Sequence, residues 1–134
     1  ALLALDSTLS WLPGSQQQGI GAFLLSRDED WPGKFIEWVA IPLSAKLRVA
    51  SVGRSPADLP VICVSLAVWP TGRVRIALGG FGPYPILAMD SPESDGAEYA
   101  VRDALTNSGD AWASAEYRQE TAAMLVRRLL TDML

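Results

Sequence analysis

The residues able to do chemistry are few, and most stand in contexts that leave them idle. Arg54 and Asp58 bracket a Ser55-Pro56-Ala57 turn. An arginine and an aspartate so placed could pair and fix the loop between two strands, or could face a ligand or partner subunit; the residues alone favour the structural role. Asp28, Glu29 and Asp30 cluster without the alternating spacing of a calcium loop. Glu116 and Glu120 stand i,i+4 on an expected helix with no histidine beside them, so a solvent face is the better expectation. The run Gly79-Gly80-Phe81-Gly82-Pro83 follows a strand as a phosphate loop would, but Pro83 and Pro85 come directly after it. No helix can open there to aim its N–H groups at an anion, so a turn with unusual backbone angles and close packing is expected. The chain contains no histidine, which removes Ser-His-Asp and Cys-His catalysis and the commonest zinc ligand. Ser55 and Ser114 therefore have no base, and a small hydrolase is a poor fit. The one cysteine, Cys63, lies among Val61, Ile62 and Val64 and is expected to be a buried, inert thiol. No catalytic residue and no metal site emerges.

The elements that would hold these residues are clearer. Phe35–Ile41 is aromatic and β-branched and stops at Pro42; Lys46–Val52 alternates; Val61–Trp69 is apolar on both faces, as a covered central strand is. Pro70-Thr71-Gly72 turns the chain into Arg73–Leu78, whose alternation puts Val74, Ile76 and Leu78 inward and Arg73 and Arg75 toward solvent. Glu98–Leu105 carries Tyr99, Val101 and Leu105 as a modest helical stripe, ended by Asn107-Ser108-Gly109-Asp110. Ser114 is a plausible N-cap for a last helix with Glu116 in its first turn. Its stripe is Ala122, Leu125, Val126, Leu129, Leu130 and Met133, with Arg127 and Arg128 as helix-end charges. The first third is weakly patterned: Trp11–Ser15 and Gln16–Gly19 look like turns and loops, and Ile20–Leu25 like one short strand. Residues 1–34 are thus expected to be a linker or extension, and 35–134 a domain. Strands followed by helices predict an α+β fold, with helices on one face of an antiparallel sheet.

Composition sets outer limits. The 134 residues, 49% hydrophobic and 19% charged, suit one folded domain. A net charge of −4 with only Lys34 and Lys46 as lysines argues against a nucleic-acid partner. The longest apolar stretch falls far short of the ~20 residues of a membrane span, and Ala1–Leu5 lacks the basic start and the length of a signal peptide. Nothing demands an oxidising compartment, so the cytoplasm is the expected location. The chain does not begin with methionine, which suggests a fragment or a processed form. Five tryptophans are many for this length. Trp38 and Trp69 are expected in a core or interface, and the others suggest a surface that packs against something larger, a second copy included.

Two segments carry a resemblance: Ala113-Ser114-Ala115-Glu116-Tyr117-Arg118 running on to Arg127-Arg128-Leu129-Leu130, and Ala77-Leu78-Gly79-Gly80-Phe81-Gly82-Pro83-Tyr84-Pro85. With Ile36-Glu37 through Ile41-Pro42 and the Arg54–Asp58 loop, they make Phe35–Leu134 similar to the C-terminal domain of the FAD-binding subunit of molybdenum hydroxylases, the carbon monoxide dehydrogenase and xanthine dehydrogenase flavoproteins. The resemblance implies an antiparallel sheet of three to four strands packed against a bundle of about three helices. It implies FAD in the parent subunit, held by glycine-rich loops of an N-terminal part that this chain lacks, so that the chain alone should hold no cofactor. It implies as partners that N-terminal FAD-binding part, an iron-sulfur subunit and a molybdopterin subunit. Ile36, Ser51 and Arg54 fall at or beside flavin-adjacent positions, but Ser51 stands where many relatives carry lysine, and Trp112 where arginine is usual. The implied role is to cover the flavin and dock the other subunits of a molybdopterin-dependent dehydrogenase, an oxidoreductase, without catalysis by this chain alone. The alternative is a free-standing interaction module that kept the fold and lost the flavin.

Overall fold

A computed structural model describes residues 1–30 and 32–133. The elements in order are β1 (Thr8–Leu12), β2 (Gln16–Gly19), α1 (Ile20–Asp30), β3 (Phe35–Ala40), β4 (Lys46–Val52), β5 (Ile62–Val68), β6 (Val74–Gly79), β7 (Ile86–Ser91), α2 (Ala97–Ala104) and α3 (Ala115–Met133). They form two antiparallel sheets, ordered β2-β1-β3 and β4-β5-β6-β7. The fold is α+β.

The four-stranded sheet carries a core on each face. On one, Ile62, Val64 and Leu66 of β5 and Val74, Ile76 and Leu78 of β6 meet Val101 of α2, Leu105 at its C-terminal end, and Ala122, Leu125, Val126 and Leu129 of α3. The period-two alternation of the strands and the helical spacing of α3 supply these residues. Ser114 caps α3 by accepting the Tyr117 N–H at 3.1 Å. On the other face, Ala67 and Ala77 present small side chains to Leu3, Leu5, Leu9, Trp11, Ile20 and Phe23. That second core explains why β5 is apolar on both faces.

Several expectations change. Residues 1–34, read as an extension with at most one short strand, carry β1, β2 and α1. Ile20–Leu25 is helical because Ile20 and Phe23, three residues apart, insert together into the second core. Trp11 and the Gln16–Gly19 run are strand, and Trp11 is only 2% exposed. β7 was not anticipated: its Pro-flanked run is partly buried on both faces and lacks a clean alternation. Tyr99 points outward, and Cys63 is half-buried rather than enclosed. Trp31 lies outside the described residues.

Arg75 is the sharpest correction, being buried where solvent was expected. Its guanidinium donates to Asp90 at 2.6 Å and to the Leu3 carbonyl at 3.1 Å, and lies 3.2 Å from Asp6. Arg73 bonds Asp90 at 2.8 Å through both Nε and one terminal nitrogen, and Asp6 at 3.0 Å. The pattern placed both arginines on the face away from α2 and α3, which is correct; the N-terminal segment, not water, covers Arg75 there.

Hydrogen bonding by Arg73, followed by the charges of Arg75 and Arg73, holds the Asp90 carboxyl below its ordinary value of 3.8. A depressed folded-state pKa gives stability that is present above the unfolded value and is lost as pH falls through the folded one. Asp90→Asn should therefore cost about 1–3 kcal/mol at neutral pH, since Asp6 still partners Arg75, and should flatten the loss of melting temperature below about pH 4. Thermal melts of both proteins from pH 7 to pH 2 check this. In the first core, Leu125→Ala should cost about 2–5 kcal/mol in a urea titration; a cost below about half a kcal/mol would make α3 peripheral.

Candidate functional site

The candidate site lies at one end of the four-stranded sheet, where β4 runs out into residues 53–61 and β6 into residues 80–85. Two adjoining clefts of about 410 Å³ each flank the first loop. One is lined by Arg54, Leu59, Pro60, Val61, Gly80 and Trp112 among others. The other is lined by Ser51, Val52, Gly53, Ser55 and Pro56; Asp58 and Pro60 belong to both. The structure thus brings Ser51 and Arg54 to neighbouring clefts, both side chains outward. Ile36 lies in the other sheet, opposite Trp11, and lines neither cleft.

Arg54 does not pair with Asp58. Its guanidinium stacks over the Trp112 indole, 4.7 Å from the ring centroid, and no described carboxylate forms an ion pair with it. The Asp58 N–H instead closes the turn by donating to the Ser55 carbonyl at 3.2 Å. A cation on an exposed indole face is worth about 0.5–1 kcal/mol. It leaves the edges of the guanidinium free to donate to an incoming group.

Trp112 is held from below by Arg118, which sequence reasoning missed as a positioning residue. Arg118 is fully buried. Its Nε donates to the Val61 carbonyl at 2.7 Å, one terminal nitrogen to the carbonyls of Ser108 and Ala113, and the other to Asp110 at 2.8 Å. Asp110 in turn accepts the N–H groups of Trp112 at 2.8 Å and Ala113 at 3.1 Å. Hydrogen bonding by Arg118, then by the Trp112 amide, holds the Asp110 carboxyl below its ordinary range. The signal was present: Arg118 precedes Ala122 by four and Leu125 by seven, in line with the apolar stripe of α3.

Gly80 serves packing. At φ +95°, a Cβ on it would lie 2.6 Å from the Pro60 carbonyl oxygen and 3.0 Å from the Ile62 nitrogen. The turn therefore presses its backbone against the entrance of β5, as expected for close packing, and leads into β7 rather than a helix. It offers no phosphate cradle. Among the described residues no group of three or more His, Cys, Asp or Glu side chains could hold a metal ion, and no helix is long and apolar enough to cross a membrane.

Arg54→Ala should move the melting temperature by less than about 4 °C, since the side chain is exposed and its stacking energy small. It should change Trp112 emission, read against a Trp112→Phe control.

No protein-family model matches the chain, and no curated protein matches it. Solved structures do. Quinoline 2-oxidoreductase from Pseudomonas putida 86 aligns with a TM-score of 0.66 at 17% sequence identity, over 98% of this chain and 53% of that one. The reconstituted CO dehydrogenase from Oligotropha carboxidovorans aligns with a TM-score of 0.66 at 17% identity, over 95% of this chain and 52% of that one. A CO dehydrogenase from Hydrogenophaga pseudoflava aligns with a TM-score of 0.60 at 15% identity. These likenesses show a shared fold. The chain spans about half the length of the solved chains it matches.

Proposed function

We propose that this chain is part of the flavin subunit of a molybdenum-dependent dehydrogenase, where it covers the flavin and docks the iron-sulfur and molybdopterin subunits without itself catalysing a reaction. The observation that carries this reading is the fold match over 98% of the chain to an oxidoreductase chain almost twice as long. The cleft pair agrees with it. An outward Arg54 stacked on Trp112, beside exposed Ser51, can meet the polar edge of a planar ring through a guanidinium edge and a hydroxyl. Arg54 supplies the charge that Ser51 does not.

The residues fit FAD only in part. Ser51 and Arg54 would hold the ring edge; Gly80, in the turn that could have cradled a pyrophosphate, is used for packing against the entrance of β5. The flavin, when bound, would supply two-electron redox chemistry, and this chain's share would be to orient the ring and exclude water from its edge. Anchoring of the phosphates would belong to the missing part of the subunit. Ile36, in the other sheet, would reach the cofactor only from a separate direction. The sheets also bear on how the parent subunit divides: a boundary at residue 34/35 would part β3 from its partner β1, whereas one near residue 44 falls between the sheets.

FAD titrated into this chain alone should not bind, with no stoichiometric flavin absorbance after gel filtration. Joined to the remainder of its subunit it should hold FAD, and Arg54→Ala should weaken that binding about tenfold, a loss of roughly 1.4 kcal/mol. Tight FAD binding by this chain alone, or none by the joined subunit, would refute the proposal; the second result would favour an interaction module that has lost the flavin.

A further inference from the structure

Four strands end the two sheets, and three of them are defended against pairing with another chain. β2 is a short polar run, Gln16–Gly19. β4 carries Lys46 and Arg48, and β7 carries Asp90 between the flanking prolines Pro85 and Pro92. Charge, proline and brevity are the usual means by which an edge strand avoids addition of a further strand. β3 has the least of them: one charge within the strand, Glu37, and a proline, Pro42, two residues past its end. It reads Phe-Ile-Glu-Trp-Val-Ala, and every one of its residues is exposed. Phe35 is 74% exposed, and the apolar run continues past the strand to Leu43, 94% exposed. Its one charge, Glu37, is drawn back by the hydroxyls of Ser10 and Ser15, which donate to its carboxylate at 3.1 and 3.4 Å. β1 satisfies only one edge of β3, so the outer backbone groups face outward beside apolar side chains.

We infer that the free edge of β3, with Phe35, Ile36 and Trp38, is the seat of a strand contributed by the part of the subunit that this chain lacks. The occupant follows from length: solved chains of this fold are almost twice as long, and this chain accounts for 53% of one of them. The other half must pack somewhere, and β3 is the most apolar and least defended of the four strand edges. This rests on the proposed reading that the chain is one piece of a larger subunit. Main-chain hydrogen bonds would give the affinity, and the alternating apolar side chains the register.

The test uses this chain and, as the probe, the polypeptide encoded with it outside residues 1–134, produced separately. Amide hydrogen exchange is followed for β3 with and without the probe, together with oligomeric state and flavin content. The expected result is a monomeric chain whose β3 amides slow at least tenfold when the probe is added. Phe35→Lys and Trp38→Lys should each weaken association at least tenfold while leaving the melting temperature of the free chain nearly unchanged. Association that leaves β3 amides unprotected, or that survives both substitutions, overturns the inference. So does the absence of any such polypeptide. Self-association of the chain alone through β3 also overturns it, by making a second copy the occupant. The two proposals fail separately: a joined pair that protects β3 but holds no FAD keeps this surface and rejects the flavin role, while a pair that holds FAD with β3 unprotected does the reverse.

Discussion

The candidate site depends on one buried guanidinium. Arg118 is enclosed on α3 and meets the Val61, Ser108 and Ala113 carbonyls and the Asp110 carboxylate, with the Phe81 ring 5.6 Å from its central carbon. A buried charge without partners would cost several kcal/mol, so these groups are obliged to converge on it. The consequence is geometric. The entrance of β5, the turn after β6 and the loop before α3 lie far apart in sequence and are clamped to one point. Asp110, fixed by Arg118, then fixes the Trp112 backbone, and Trp112 offers its indole face to Arg54. The exposed part of the site therefore rests on a buried guanidinium that is bonded through all three of its nitrogens.

A second clamp works on the opposite face of the same sheet. Ala67 and Ala77 leave room for the N-terminal segment to lie close, and Arg75 converts that approach into bonds to Asp6 and the Leu3 carbonyl. Two cores thus share one sheet, with β5 and β6 buried between them. On the outer side of the helices, Arg102 and Arg127 join α2 to α3 through Glu120 and Glu98. Those pairs are exposed and contribute little each. They take up Arg127, which the sequence suggested only as a helix-end charge.

What was legible follows from periodicity. β4 and β6 alternate, β3 and β5 are apolar runs bounded by turn residues, and α2 and α3 carry helical stripes; the structure places all six within a residue or two of the sequence boundaries. The Ser114 cap was legible because a hydroxyl before an acidic first turn has a local cause. The N-terminal third was not, because its meaning is non-local. Leu9 and Trp11 look like scattered apolar residues until Ala67 and Ala77 are known to lie opposite them. Arg75 and Arg118 were missed for the same reason: an arginine is read as exposed unless its acceptors are known, and here they lie up to 72 residues away in the chain. In the candidate site, Ser51 and Arg54 were found as neighbours, while the stacking partner of Arg54 was not, since nothing local links residue 54 to residue 112.

The division between satisfied and unsatisfied groups also bears on what such a fold can do. Arg73, Arg75, Arg102, Arg118 and Arg127 are all spent on internal acids. The glycine turn at Gly80 is spent on backbone contact with the entrance of β5. No histidine exists to move a proton near neutral pH. Three buried polar atoms, Ser7 Oγ, Arg75 Nε and Ser108 Oγ, have no partner among the described residues, while the exposed features left over lie on separate surfaces, Arg54 at the end of one sheet and the β3 edge on the other. Under the proposed function, the exposed features would contribute shape and a single placed charge, and the bonded interior the rigidity that makes the placement reproducible.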